Sequence, residues 1–162
     1  MDLVGTYPLD WGDNGTTDLM FSLNYNDTEF DSDPSAFLND EDQADFGNFL
    51  SDWRGVFTAR HTIGALTLLG RVNYYGEWEN ANNNNNGNPL NVQKMDATWF
   101  TDIEASYQIN DMFKISVGGR NIFDEYPEKD IISDYCCGRI YSSGSNVDWQ
   151  GAWYYGRITV TF

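Results

Sequence analysis

The sequence predicts an all-β protein, an antiparallel up-and-down transmembrane β-barrel that is present in part, with about seven strands. Segments of roughly ten residues alternate apolar and polar side chains, as strands with two unlike faces do. The connections between them alternate short and long, which predicts short periplasmic turns and long extracellular loops. Aromatic residues make up 16% of the chain and gather on the apolar face near strand ends, as at a membrane interface.

The alternation is carried by seven segments, residues 1–9, 17–26, 53–63, 66–78, 97–109, 113–120 and 153–162. The long connection 27–52 is acidic, and Asn39 followed by three acids predicts a capped helix over 40–49. The connection 80–96 contains five consecutive Asn and predicts a flexible polar loop. No stretch of about 18 apolar residues is present, so the sequence predicts no membrane-spanning helix.

The last segment is the clearest strand. Ile158, Val160 and Phe162 alternate with polar residues, and Tyr154 shares their face. An apolar face that ends on an aromatic fits a closing strand that faces lipid.

The opposite face of the predicted strands is charged, and four of its residues are predicted to line a hydrated lumen: Asp102, Glu104, Lys114 and Arg120. If Ile109 opposes Phe113 across a tight turn, the apolar residues of both strands stay on one face. Asp102 then lies opposite Arg120, a favourable cross-strand pair. The alternative is the solvated outer face of a soluble sheet.

The composition argues against several classes of function. The net charge of −16 makes nucleic acid an unfavourable partner. His61 is the single histidine and has no ligand spacing around it, so we expect no metal and no cofactor. Asp102 and Glu104 share a face as a general acid and base would, but no nucleophile or histidine accompanies them, so we expect no enzyme. Cys136 and Cys137 are adjacent; a vicinal disulfide and two free thiols both remain open.

The run Val117-Gly-Gly-Arg-Asn-Ile-Phe-Asp-Glu-Tyr-Pro127 leads into a long loop and then the terminal strand Tyr154–Phe162. This combination resembles the end of the barrel of TonB-dependent outer-membrane receptors. Residues 1–4 and 18–28 are similar to preceding strands of such barrels, so the resemblance spans essentially the whole chain.

The resemblance implies uptake of a scarce nutrient across the bacterial outer membrane, such as a ferric siderophore, cobalamin, haem or a glycan. It implies as partners the outer-membrane lipid, the remaining barrel strands and plug of a parent receptor, and TonB through that plug. It also implies that the barrel assembly machinery reads the terminal strand, with Tyr154, Ile158, Val160 and Phe162.

Barrels of such transporters have about 22 strands. We therefore expect residues 1–162 to be a single incomplete domain, the C-terminal segment of the barrel, without plug and N-terminal strands. Ligand-facing candidates in the long loops are Tyr135, Arg139, Tyr141, Trp149 and Trp153. The alternative function is a small soluble or self-assembling β-sheet protein with a binding or structural role.

Overall fold

The computed structural model describes residues 1–82, 90–132, 140–142 and 147–162, and these form a mostly antiparallel β protein with one short helix. Seven strands make one sheet in the order β1-β2-β3-β4-β7-β8-β9. Its strands are β1 (Asp2–Asp10), β2 (Thr16–Tyr25), β3 (Trp53–Ile63), β4 (Leu66–Tyr75), β7 (Thr98–Gln108), β8 (Phe113–Arg120) and β9 (Trp153–Val160). The seven predicted strands are therefore confirmed.

Every neighbouring pair in this sheet is antiparallel, and β1 and β9 lie at its two edges. Ile103 pairs with Gly119 and Tyr107 with Ile115, which confirms the register predicted for β7 and β8. Because the strands alternate in direction, the long connections 26–52, 76–97 and 121–152 all leave from one end of the sheet. The short turns lie at the other end.

The prediction for residues 66–96 was wrong in two respects. The strand ends at Tyr75 rather than at Trp78, and the described part of the predicted polar loop contains a hairpin of β5 (Trp78–Asn82) and β6 (Asn91–Met95). Pairing between Trp78 and Met95 and between Glu79 and Lys94 holds the hairpin, and the latter pair adds an ion pair of 3.2 Å. Residues 83–89, with most of the Asn run, lie outside the described residues.

The predicted helix is confirmed as α1 (Asp40–Asn48). Asn39 caps it, since its Oδ1 accepts a hydrogen bond of 2.8 Å from the backbone N–H of Asp42. The carboxylates of its first turn face the positive end of the helix dipole, which further stabilises this end. None of the described helices is long and apolar enough to span a membrane.

The seven-stranded sheet exposes apolar side chains on one face and buries polar side chains on the other, which is the reverse of a sheet folded in water. Large apolar side chains on one face are open, with Val117 at 62% and Ile158 at 72% of full exposure. On the polar face, Thr58, Ser106 and Ser116 are buried, at 3–5% exposure. Among the described residues, therefore, no second layer packs against the apolar face, and the polar face holds the buried side chains.

The buried apolar side chains gather instead at the long-loop end: Tyr75, Trp78, Ala81, Met95, Phe100 and Val147. Met95 is the most enclosed, at 1% exposure. Trp78 packs edge-on against Phe49 just after α1, with ring centroids 5.6 Å apart. A packed layer of loops thus covers this end of the sheet, and we call α1, the β5–β6 hairpin and residues 128–132 the loop layer.

Candidate functional site

The polar face of the seven-stranded sheet concentrates the positive charge of the protein. Six of the nine basic residues alternate onto it, namely Arg54, Arg60, Arg71, Lys114, Arg120 and Arg157. It carries five of the 25 acidic residues, namely Asp2, Asp10, Asp18, Asp102 and Glu104. The face is therefore close to neutral within a chain whose net charge is −16, and the excess acid lies in the loops and turns.

Glu104 is the centre of a hydrogen-bonded group on this face. Its Oε2 accepts from the hydroxyl of Tyr155 at 2.6 Å and from the guanidinium of Arg157, and its Oε1 accepts from Ser106 Oγ at 2.9 Å. Ser106 also meets Ser116 across β7 and β8, with 2.8 Å between the hydroxyl oxygens. Since Glu104 is held by three donors, it is a structural carboxylate that ties β9 to β7 across β8.

A pocket of about 170 Å³ opens on the polar face at the long-loop end, and we call it the loop-end pocket. Its charged and polar lining is Arg71, Asn73, Asp102, Arg120, Asn121, Asp148 and Gln150, and its other walls are Tyr75, Phe100, Gly151 and Trp153. Its residues come from the ends of β4, β7, β8 and β9 and from the last long connection. The pocket therefore exists only when these strands are paired.

Asn121 fixes the wall of this pocket and joins the two ends of the last long connection. It follows β8 with a positive φ of 48°, in the left-handed region that Asn tolerates better than most residues. Its side-chain amide donates to the carbonyls of Glu125 at 2.7 Å and Gln150 at 3.2 Å. Its Oδ1 accepts from the Glu125 N–H at 3.0 Å, so every polar atom of this buried side chain is used.

Asp124 makes the second tie between the same ends. Its Oδ1 accepts from the Ala152 N–H at 2.8 Å and from the Tyr126 hydroxyl at 3.1 Å. Gly151 fits beneath them, because a Cβ there would lie 2.2 Å from the Tyr126 hydroxyl oxygen. Asn121 and Asp124, which both belong to the run Val117–Pro127, thus hold the start of β9 in position.

The two adjacent glycines of the same run, Gly118 and Gly119, leave space for two aromatic rings. Gly118 pairs with Tyr155 and Gly119 with Tyr154 across β8 and β9. A Cβ on either glycine would lie 2.7 Å from the facing tyrosine ring, one on each face of the sheet. Any side chain at these positions would displace the facing tyrosine ring.

The structure brings some of the predicted site residues together and separates others. Asp102, Arg120 and Trp153 line the loop-end pocket. Lys114 lies toward the short turns, in a separate depression that it shares with Arg60 and Glu104. The four predicted lumen charges are therefore distributed over the length of the polar face.

Of the remaining ligand-facing candidates, the two that the structure describes, Tyr141 and Trp149, are not among the residues that line the loop-end pocket. Tyr141 stacks on Tyr126, with centroids 6.2 Å apart, and Trp149 is 47% exposed. Tyr135 and Arg139 lie outside the described residues, as do Cys136 and Cys137.

The predicted contact between Asp102 and Arg120 needs a correction. Both side chains line the same pocket, but they form no ion pair among the described residues. Asp102 instead accepts from the Asn73 side chain at 3.2 Å and the Asn121 N–H at 3.0 Å, and the Arg120 guanidinium lies 5.4 Å from the Trp153 ring centroid. The Asp102 carboxylate is therefore satisfied by nearby donors, and the Arg120 guanidinium makes a cation–π contact with Trp153.

Sequence reasoning missed Arg71, Asn73, Tyr75 and Phe100 as pocket residues. Arg71 pairs with Asp102 and Asn73 with Phe100 across β4 and β7. The two strands are joined by a connection of more than 20 residues, so no short turn indicated their register. For Asn121 a signal was present, because it belongs to the motif that carried the family resemblance.

The terminal strand lies as predicted on the exposed apolar face. Tyr154, Ile158 and Val160 are open to their surroundings, and Phe162 is fully exposed. Neighbouring positions on this face carry Trp53 and Trp99, which pack against Tyr25 and Tyr74 with centroid separations of 4.6 and 4.3 Å. These aromatic pairs lie at the long-loop ends of their strands.

Comparison with known proteins adds no relative. No family model, no curated protein and no solved structure matches this chain.

Proposed function

We propose that this chain is the C-terminal segment of the barrel of a TonB-dependent outer-membrane receptor, and that it serves the uptake of a scarce nutrient. The observation that carries the proposal is which face of the sheet is exposed. Apolar side chains are exposed on one face, and charged side chains are gathered on the other. A sheet in water turns its apolar face to a core, whereas a barrel in lipid turns it outward.

The outward face is too extensive to be a set of isolated exposed residues. Large apolar side chains at least 39% exposed occur on it in all seven strands, from Leu3 in β1 to Val160 in β9. Contiguous apolar surface of this kind marks contact with lipid or with another protein. Aromatic pairs at the strand ends, such as Tyr74 with Trp99, favour lipid, since such rings sit well at the headgroup level.

The distribution of connections supports the same proposal. The three long connections share one end of the sheet, and the described parts of all three contribute to the loop layer. In the proposed orientation this layer lies outside the cell and the short turns lie in the periplasm. The polar face then lines the path between them.

The open edges of the sheet support the role of a segment. Within the described ranges, β1 and β9 each pair on one side only. An unpaired strand edge in hydrocarbon leaves backbone groups without partners, so a membrane barrel must close. Further strands of a parent receptor would satisfy both edges, and a plug would contact TonB.

The proposal is tested in the bacterium that makes the protein, with a C-terminal-specific antibody for location and labelled nutrients for transport. We expect the chain in the outer-membrane fraction, released only by detergent. Deletion of its coding region should reduce uptake of one nutrient as far as loss of TonB does. Recovery of a folded, monodisperse chain in buffer without detergent would contradict the proposal and favour a small soluble β-sheet protein.

A further inference from the structure

We propose that the loop-end pocket binds one oxyanion-bearing group of the transported ligand, held by the guanidinium groups of Arg71 and Arg120. The inference deepens the proposed function and rests on it, since a ligand that passes along the polar face would meet this pocket.

The two cations of the pocket have unused donors. Arg71 donates from Nε to Thr58 Oγ1 at 3.4 Å, which is long for a hydrogen bond, and its two terminal nitrogens make no further bond among the described residues. Arg120 lies over the Trp153 ring and makes no ion pair in the described part of the chain. A guanidinium carries five N–H donors in a planar fork that matches a carboxylate or a phosphate.

The anions of the pocket, in contrast, are engaged by the protein itself. Both oxygens of Asp102 accept hydrogen bonds, from Asn73 and from the backbone N–H of Asn121. Asp148 Oδ1 accepts from the backbone N–H of Gln150 at 2.9 Å. The pocket therefore offers free donors on both of its cations, whereas three of the four oxygens of its two carboxylates accept hydrogen bonds from the protein, and this difference favours an anionic group.

The size and the walls of the pocket define the group further. Its volume of about 170 Å³ is below the roughly 300–1,000 Å³ of pockets that hold a whole drug-sized ligand. It can therefore hold one small ring or branched group rather than an entire siderophore or cobalamin. Tyr75, Phe100 and Trp153 supply flat apolar walls beside the two cations, which suits a ring with an oxyanion substituent.

The test uses three sugars that share one ring and differ at a single carbon: glucose, glucuronate and glucose 6-phosphate. The chain, labelled with 15N-arginine and kept in detergent together with the strands that complete its barrel, is titrated with each sugar, and the guanidinium Nε–H resonances are followed. We expect glucuronate to shift the Arg71 and Arg120 resonances and glucose to leave them in place. Arg60 lies on the same face outside the pocket and should not shift.

Variants give the matched comparison. Arg71→Gln and Arg120→Gln should each weaken glucuronate binding on the order of tenfold, because each removes a charge-assisted hydrogen bond. Arg60→Gln should leave the affinity unchanged. Amide spectra that match those of the unsubstituted protein show that each variant is folded.

Every outcome bears on the proposal. Tighter binding of glucose 6-phosphate than of glucuronate supports the oxyanion site and identifies phosphate as its source. Equal binding of glucose, an equal loss in Arg60→Gln, or no shift in a folded chain would overturn it. Since these titrations need no membrane or TonB, their failure is separate from a failure of the fractionation and uptake tests.

Discussion

The seven-stranded sheet and the loop layer follow opposite rules of burial within one chain. In the sheet, apolar Val117 and Ile158 are open and Ser106 and Ser116 are buried. In the loop layer, Met95 is enclosed, as in any protein folded in water.

The two regions differ in where they place their polar groups. In the loop layer, buried polar groups have protein partners, as where the side chains of Asn80 and Asp130 meet at 2.9 Å, which fits burial from water. The sheet places its polar groups together, and its apolar groups have no cover from the part of the chain that the structure describes. Under the proposed function, hydrocarbon replaces the missing cover.

The largest expected effect is on the loop layer. Trp78→Ala should remove about 3–5 kcal/mol from its stability, because it opens a cavity beside Phe49 and the β5–β6 hairpin. Hydrogen exchange at the Ala81 and Met95 amides measures the loss. Trp149→Ala, at an exposed residue of the same end, is the control and should leave that exchange unchanged.

The second prediction tests the exposed face directly. Ile103→Arg should cost about 2–4 kcal/mol when the chain is folded in lipid vesicles with the strands that complete its barrel, as expected near the middle of a bilayer. Ser22→Arg, at an exposed position on the polar face, should cost much less. Denaturant unfolding in vesicles measures both, and equal effects within about 0.5 kcal/mol would indicate that Ile103 faces water.

The third prediction concerns the junction between the two regions. Asn121→Ala should destabilise the start of β9 by about 1–3 kcal/mol, because it removes three hydrogen bonds around a buried site and forces Ala into a positive φ. Asn121→Gly keeps the backbone conformation and loses only the hydrogen bonds, so it should cost less. Exchange at the Glu125 and Ala152 amides separates the two contributions; identical losses would rule out backbone strain.

The smallest effect is a pH dependence confined to the loop layer. Burial raises the pKa of the Asp45 carboxyl, and Glu41 and Asp42 add to the rise, although a 2.7 Å hydrogen bond from the Ala81 N–H opposes it. A carboxyl whose pKa is higher in the folded state stabilises that state at low pH. The contribution is present below about pH 4, the ordinary range of Asp, and is lost as the pH rises through the raised pKa.

The contact between α1 and β5 should therefore loosen as the pH rises through that window. Asp45→Asn keeps an acceptor for Ala81 and removes the titration. The Ala81 exchange rate of the unsubstituted protein, divided by that of Asp45→Asn, should increase with pH. A constant ratio would show that Asp45 does not control the contact.

The sheet could be predicted from the sequence because its information is local. Each strand alternates by itself, and the turns at 64–65 and 109–112 are short enough to determine the pairing. The β5–β6 hairpin could not be predicted, because Asn80 and Ala81 are both buried and give no alternation. Their burial depends on Asp45 and Asp130, which are 36 and 50 residues away.

Contacts between residues far apart in the sequence also limited the prediction of the loop-end pocket. Asp102 and Arg120 were placed near each other because β7 and β8 form a tight hairpin. Arg71 joins them only through the pairing of β4 with β7 across a long connection. The Asn121 side chain bonds across 29 residues to Gln150, and no periodicity reports such a contact.

Under the proposed function, the loop layer has a consequence for recognition from outside the cell. Asp45 binds Ala81 and Asn80 binds Asp130, so segments of three separate connections present one shared surface. An antibody or a phage that attaches there would meet a discontinuous epitope, lost when the chain is denatured and not reproduced by any single peptide. A change that removes Asp45 or Asp130 would also disturb the β5–β6 hairpin, which restricts the sequences available to this surface.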